Sequence, residues 1–376
     1  MKEFNIEGTC IPSENYMVDT SAKLEQIEAL IQKGKYFTIN RSRQYGKTTT
    51  LASLYHRLKN QYTVLRLSFE GVGDGAFASD YGFVRFFVRK TTQFMEFLGE
   101  SEALIREWSN FEKYAEGEDA FDFLDQKITL LCQNCDREII VMIDEVDKSS
   151  DNQIFLNFLG MLRNKYLRRR EGLDTTFKSV ILAGVYDIKN LKLKIRSDGE
   201  KKYNSPWNIA ADFMVDMSFS PIEIATMLQD YERDYHTGMD IEAISRELYF
   251  YTSGYPFLVS RLCKWIDEEG EKNWTVENVQ RAENALLHIP CTLFDDLAKN
   301  YENNPQLQQM IDDILFMGRE YTFVMTDPVI SLGVMFGIFK RSGNIVAISN
   351  VIFDTILYNH VMSKMDRQNL VPHPKR

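Results

Sequence analysis

Residues 35–50 read KYFTINRSRQYGKTTT. The opening KYFTIN is a short β-type run, the segment from Thr48 onward (TTTLASLYHRLKN) has helical character, and the polar loop between them carries Gly46-Lys47-Thr48. That triplet fits the second half of the phosphate-binding pattern G-x-x-x-x-G-K-[ST], in the strand–loop–helix setting the pattern requires. Gly46 lets the backbone turn so that successive N–H groups face a phosphate, and the following helix adds the positive end of its dipole. Lys47 is placed to reach β- and γ-phosphates and the Thr48 hydroxyl to ligate Mg²⁺. Arg43, Gln44, Tyr45 and Thr49 complete the candidate nucleotide-contacting set. Arg41 stands where the pattern has its first glycine.

About ninety residues further on, 137–147 read REIIVMIDEVD. The unbroken apolar run Ile139 to Ile143 suits a strand covered on both faces. It delivers Asp144 to the carboxyl end of that strand, where an open α/β sheet binds ligands. Asp144 is a candidate to hold Mg²⁺ through water, and Glu145 to polarise an attacking water. A strand running into an acidic turn is common by itself. Its occurrence after Gly46-Lys47-Thr48, in the right order, points to a nucleoside-triphosphate site with Mg²⁺, with Lys47, Asp144 and Glu145 as the catalytic candidates. Asp147 reads as structural or as a helix cap.

On these residues the sequence resembles the AAA-like, STAND-related P-loop ATPases of bacteria and archaea. Their phosphate loop is often written R-x-R-x-x-G-K-[ST], matched by Arg41-Ser42-Arg43-Gln44-Tyr45-Gly46-Lys47-Thr48, and their acidic pair by Asp144-Glu145. The resemblance implies a parallel sheet of order 5-1-4-3-2 flanked by helices, a helical lid, and a C-terminal winged helix. It also implies that Gly254-Tyr255-Pro256 starts a lid helix, with the Pro256 ring on the adenine, and that Ile11 to Tyr16 wraps the base. Position alone leaves a second reading for Pro256, since proline is ordinary at the first turn of a helix. The chain departs from the family at Ala183-Gly184-Val185, where relatives often carry a polar γ-phosphate sensor; Tyr186 and Asp187 are the substitutes at hand. No arginine finger is evident.

The rest of the chain fits this frame. Strands alternate with helices through residue 220, with strands at 62–69, 137–144, 177–185 and 212–220, as in a parallel sheet with helices on both faces. After Pro221 the pattern is all-helical to 288. Then come helices near 305–317, a hairpin in FKRSGNIVAIS turning at Ser342-Gly343-Asn344, and a helix over 350–363. The expected division is therefore a P-loop ATPase core over 1–220, a helical lid over 221–289 and a winged-helix-like domain over 290–376.

The 376 residues are 44% hydrophobic and 26% charged, a globular composition. The formal net charge of −10 does not suit a bulk phosphate-backbone binder. From Cys291 onward, eight basic residues face nine acidic ones, so a DNA-reading role is not favoured there. Neither a signal peptide nor a membrane-spanning run is evident. Five sparse cysteines suit a reducing compartment, so the cytoplasm is expected. Cys132 and Cys135 form a lone C-x-x-C without a second ligand pair and read as structural. Lys165, Arg168, Arg169 and Arg170 read as a solvated helix end, and Lys189, Lys192, Lys194 and Arg196 as a surface face. Trp207 is a candidate loop anchor or partner contact. The leading expectation is an ATP-binding, Mg²⁺-dependent ATPase acting as a nucleotide-controlled switch, with a protein partner or a second copy. The alternatives are an ATP-locked scaffold with negligible hydrolysis and a DNA-associated loader-type ATPase.

Overall fold

A computed structural model describes residues 2–110, 119–149, 152–185 and 207–369. The chain forms two compact units that do not follow chain order. The sheet unit comprises Ala22–Asn40 and Lys47–Val215; the helical unit comprises Met1–Ser21, Arg41–Gly46 and Asp216–Arg376.

The sheet unit runs α1 (Ser21–Gln32), β1 (Phe37–Asn40), α2 (Lys47–Leu58), β2 (Thr63–Ser68), α3 (Asp80–Leu98), α4 (Glu102–Ser109), α5 (Ala120–Asn134), β3 (Ile139–Asp144), α6 (Gln153–Arg170) and β4 (Ser179–Gly184). Side chains of Ser79, Ser101, Asp119 and Asn152 cap α3 to α6 by accepting backbone N–H groups, which sets where each helix starts. Among the described residues the strands form one four-stranded parallel sheet of order β1-β4-β3-β2. Every residue of β3 and β4 is buried, which is why both strands read as continuous apolar runs. The core on one side is an aromatic cluster, with Phe69, Phe83, Phe87, Phe155 and Phe158 buried together.

The inner order 1-4-3-2 is the expected one, but the fifth strand anticipated at 212–220 is not formed. In its place Ala211 makes a parallel bridge to Phe37, its N–H donating to the Tyr36 carbonyl at 2.8 Å. Side chains do the rest: Phe213 stacks on Phe37 with ring centroids 5.9 Å apart, and buried Trp207 donates its indole N–H to Thr38 Oγ1 at 3.1 Å. Asp212, Met214 and Asp216 are exposed, so the segment alternates like an edge strand while offering the ladder little beyond that bridge. Trp207 thus anchors a loop.

A second expectation is corrected at the end of α6. Arg168 and Arg170 are exposed, but Lys165 is fully buried and donates to Asp125, Thr129 and Asp174. Arg169 donates to the carbonyls of Gly34, Phe177 and Lys178, tying together the chain entering β1 and β4. Helical spacing alone did not separate the inward pair from the outward pair. Cys132 lies in α5 and Cys135 caps it; both thiols are free, and burial pushes Cys132 up to about 12, too high for a reactive thiolate. The basic residues 189–196 lie outside the described residues.

The helical unit contains α7 (Pro221–Tyr235), α8 (Ile241–Thr252), α9 (Pro256–Glu268), α10 (Val276–Leu286), α11 (Thr292–Asn303), α12 (Pro305–Met317), α13 (Pro328–Met335), the antiparallel hairpin β5 (Phe339–Ser342) and β6 (Ile345–Ile348), and α14 (Val351–Asn369). The switch to helices at Pro221 has a local cause: Ser220 and Glu223 form a reciprocal capping box around a proline at the first turn. The N-terminal segment belongs to this unit. Phe4 and Tyr16 pack with Tyr231 and Trp274, Lys2 pairs with Asp230 at 2.7 Å, and the Tyr16 hydroxyl donates to Asp234 at 2.7 Å. Of the stretch from Ile11 to Tyr16, the first four residues are exposed, while Asn15 and Tyr16 are buried in their own unit. No described helix is long and apolar enough to cross a membrane.

Candidate functional site

The parallel register brings the carboxyl ends of the strands to one edge, with Asn40 of β1 beside Gly184 of β4 and Ser68 of β2 beside Asp144 of β3. Lys47 is the first residue of α2, so Lys47, Thr48 and Thr49 form the first turn of a twelve-residue helix. The Thr48 hydroxyl donates to Asp144 Oδ2 at 2.7 Å, which joins the loop triplet to the acidic pair across 96 positions of sequence. Lys47 and Asp144 are each 7% exposed. The other carboxylate oxygen of Asp144 accepts the Glu145 N–H at 2.9 Å.

Glu145 adopts a left-handed backbone, φ +55°. A non-glycine residue there costs on the order of 1–3 kcal/mol and persists only where its surroundings over-determine it. Its carboxyl is raised above the ordinary range, first by burial and then by the charge of Asp144; Lys47 acts in the opposite direction. Asp147 has a different role. Its carboxylate accepts the Val185 N–H, and a Cβ on Gly184 would lie 2.7 Å from its Oδ1. The end of β4 is therefore packed against Asp147, leaving Gly184 no room for a side chain. Tyr186 and Asp187 lie outside the described residues.

The front of the phosphate loop, Arg41 to Gly46, is organised by the helical unit to which it belongs. Gly46 has φ +75° with open space where a Cβ would stand, so its requirement is conformational rather than steric. Gln44 is left-handed at φ +55°. The Arg43 guanidinium pairs with Asp296 Oδ2 at 3.0 Å and is 71% exposed; the Gln44 amide reaches Thr292 Oγ1 at 3.5 Å. Tyr45 meets the Tyr255 ring edge-on at 4.6 Å. Arg41, where the pattern has a glycine, has its pKa lowered by burial, with Tyr45 and Asp216 acting against that. Pro256 is buried at the first position of α9, directly after Tyr255.

Two residues, one in each unit, escaped the sequence reading. Tyr255 donates its hydroxyl hydrogen to the Arg43 carbonyl and lies 3.1 Å from Ser42 Oγ. Nothing local to Gly254-Tyr255-Pro256 announces a partner more than two hundred positions away. Arg66 is a half-buried cation in the middle of β2, two residues before Ser68 and on the same face. Burial lowers its pKa, Asp144 raises it, and its guanidinium lies 5.7 Å from the centre of the Tyr55 ring. The signal for Arg66 was in plain view: a charge in the apolar run TVLRLSF, two positions before the residue that pairs with Asp144.

Comparison with known proteins fits this geometry. The family model described as AAA-like domain matches residues 7–359. No curated protein sequence matches the chain. A solved Walker-type ATPase of Pyrococcus abyssi is similar at TM-score 0.59 and 13% identity, over 94% of this chain and 99% of that one. The ORC2 protein of Aeropyrum pernix, in ADPNP–ADP complexes, aligns over 96% of this chain and 98% of its own, at TM-score 0.45 and 14% identity. At 13% identity the likeness to the Pyrococcus abyssi protein is one of fold.

Proposed function

The chain belongs to the AAA-like domain family, and on that premise we propose that it is an ATP-binding, Mg²⁺-dependent ATPase whose nucleotide state acts as a switch. The observation that carries this reading is the Thr48 hydroxyl on the Asp144 carboxylate at 2.7 Å, at the head of the helix that begins with Lys47. Backbone N–H groups of the loop and of the first turn of α2 suit phosphate oxygens, and Lys47 supplies a cation beside them.

Thr48 Oγ1 and Asp144 Oδ2 are hard oxygen donors that suit Mg²⁺, which takes few protein oxygens and completes its shell with phosphates and water. Held by Thr48 and Asp144, Mg²⁺ would neutralise charge on phosphate oxygens. Glu145 is the base in this reading: burial raises its pKa toward the range in which a carboxylate accepts a proton from water effectively. Arg43, Gln44, Tyr45, Gly46 and Thr49 line the loop, and Pro256 begins the helix assigned to the base. The proposed division keeps a lid over 221–289 and a winged-helix-like part over 290–376, in a cytoplasmic protein that works on a protein partner or a second copy. The near-balanced charge from Cys291 onward argues against DNA as that partner.

A second reading, an ATP-locked scaffold with negligible turnover, is favoured by the end of β4, where Asp147 occupies the space a polar sensor on Gly184 would need. Phosphate release from Mg²⁺-ATP, measured beside equilibrium nucleotide binding, separates the two. Turnover by the wild-type chain that is lost in Lys47→Ala supports the ATPase; tight ATP binding with background release supports the scaffold. Absence of nucleotide binding by the wild-type chain refutes both.

A further inference from the structure

The front of the phosphate loop is held by contacts that a phosphate-binding pattern does not require. Tyr255 is 2% exposed, and its hydroxyl donates to the Arg43 carbonyl. A phenol has one hydrogen to give, so the 3.1 Å contact with Ser42 is made by the serine hydroxyl donating to the Tyr255 oxygen. Ser42 is itself buried, and Gly337 stands against it, where an added Cβ would come within 2.6 Å of Ser42 Oγ and 3.7 Å of the Tyr255 ring. Gly337 lies two residues before β5 and has φ +74°, and its carbonyl accepts from the Ser349 hydroxyl just after β6. Two separate parts of the helical unit, the start of α9 and the base of the hairpin, thus close on Ser42 and Arg43.

Immediately after this grip comes Gln44 in its left-handed conformation. Such a residue stays there only when neighbouring interactions impose it. Tyr255 holds the residues on either side of Gln44, its hydroxyl on the preceding carbonyl and its ring on the following Tyr45, while the Gln44 amide itself reaches Thr292 Oγ1 at 3.5 Å. The Tyr255 ring is seated independently of its hydroxyl, against Phe353 of α14 at 5.4 Å.

We propose that Tyr255 is a positioning residue for nucleotide polyphosphate binding: its hydroxyl, with Ser42, sets the backbone of residues 42–45 so that the loop receives phosphates. By linkage, nucleotide binding then stabilises the α9 start and the hairpin base that hold Tyr255 and Ser42. This inference rests on the phosphate-loop reading and adds the residue that shapes the loop.

Tyr255→Phe keeps the ring and removes only the hydroxyl. The expected result is a fall of roughly tenfold in affinity for both ATP and ADP, the size that follows when a buried carbonyl loses its partner. Hydrogen exchange of amides 42–46 should become faster, and nucleotide should no longer protect the residues around Gly337. Ser42→Ala should give a smaller loss in the same direction, and the double variant should fall short of the product of the two single losses. A purely structural role predicts a lowered melting temperature with unchanged affinity, and that result overturns the proposal. Should Tyr255→Phe not fold, Ser42→Ala decides by the same two readouts. Lys47→Ala is the control. If it retains wild-type affinity, the phosphate-loop reading fails; if it loses binding while Tyr255→Phe binds like wild type, the positioning role alone fails.

Discussion

The phosphate loop has two halves that are built differently. Lys47 and Thr48 belong to the sheet unit and are fixed by local means: they open α2, and Thr48 bonds Asp144 at the carboxyl end of β3. Arg41 to Gly46 belong to the helical unit and are fixed from a distance, through Tyr255, Thr292, Asp296 and Gly337. The half that carries the chemistry of phosphate and metal is thus set by the sheet, and the half that shapes the loop answers to the helices. Gln44 within the second half is left-handed, and so is Glu145, which follows the Asp144 that Thr48 bonds. Of the other described non-glycine residues with positive φ, His236 and Ser253 are C-caps of α7 and α8, where such a conformation is ordinary.

The largest effect should come from the sheet-held half. Lys47→Ala removes the cation from the head of α2, and nucleotide binding should be abolished, while far-UV circular dichroism stays native. Glu145→Gln should come next. It removes the charge while keeping size and hydrogen bonding, so turnover should fall by at least the lower end of the roughly 10²–10⁴-fold contribution of a general base, while ATP affinity holds. Equal enzymatic rates in variant and wild type would assign the water to another residue. The sign of the pH dependence follows from the same group. Its ionised form is the base, and burial raises its pKa, so activity should fall as pH is lowered and Glu145 takes up a proton. A pH profile of phosphate release whose acid limb is unchanged in Glu145→Gln would count against Glu145.

Smaller effects should come from the shape of the loop. Gly46→Ala meets no atom within 4 Å, so its cost is the left-handed backbone alone, about 1–2 kcal/mol. Titration should show an affinity loss of roughly tenfold, at about 1.4 kcal/mol per decade. Asp296→Ala frees Arg43 from an exposed ion pair worth about 0.2–1 kcal/mol, so the change in affinity should stay below about fivefold. A larger loss there would move Arg43 from the periphery of the loop to its energetic centre.

Legibility in the sequence tracks these two kinds of support. The strand leading to Asp144, the loop triplet, the hairpin at Gly343 and the proline start of α7 were all readable, because each depends on neighbours within a few residues; the inner strand order pairs residues as far apart as Phe37 and Ile181 and was available only as what the family resemblance implies. The fifth strand was misread because its alternation is real but its pairing depends on what β1 offers at that edge. Lys165 and Arg169 were misread because spacing along a helix does not say which cations turn inward to Asp174 or to the Gly34 carbonyl.

By itself the sequence determined the chemistry at hand: a glycine that permits the turn, a lysine and a threonine at a helix start, and an acidic pair after an apolar strand. Those follow from residue type and order, which act over a few bonds. Only the tertiary structure decided that Thr48 meets Asp144, that Asp147 closes the end of β4, and that Tyr255 holds the Arg43 carbonyl. Each of these joins residues that lie 38 to 212 positions apart, and contacts of that reach are set by how packed elements exclude water from their shared core rather than by any local preference of the chain.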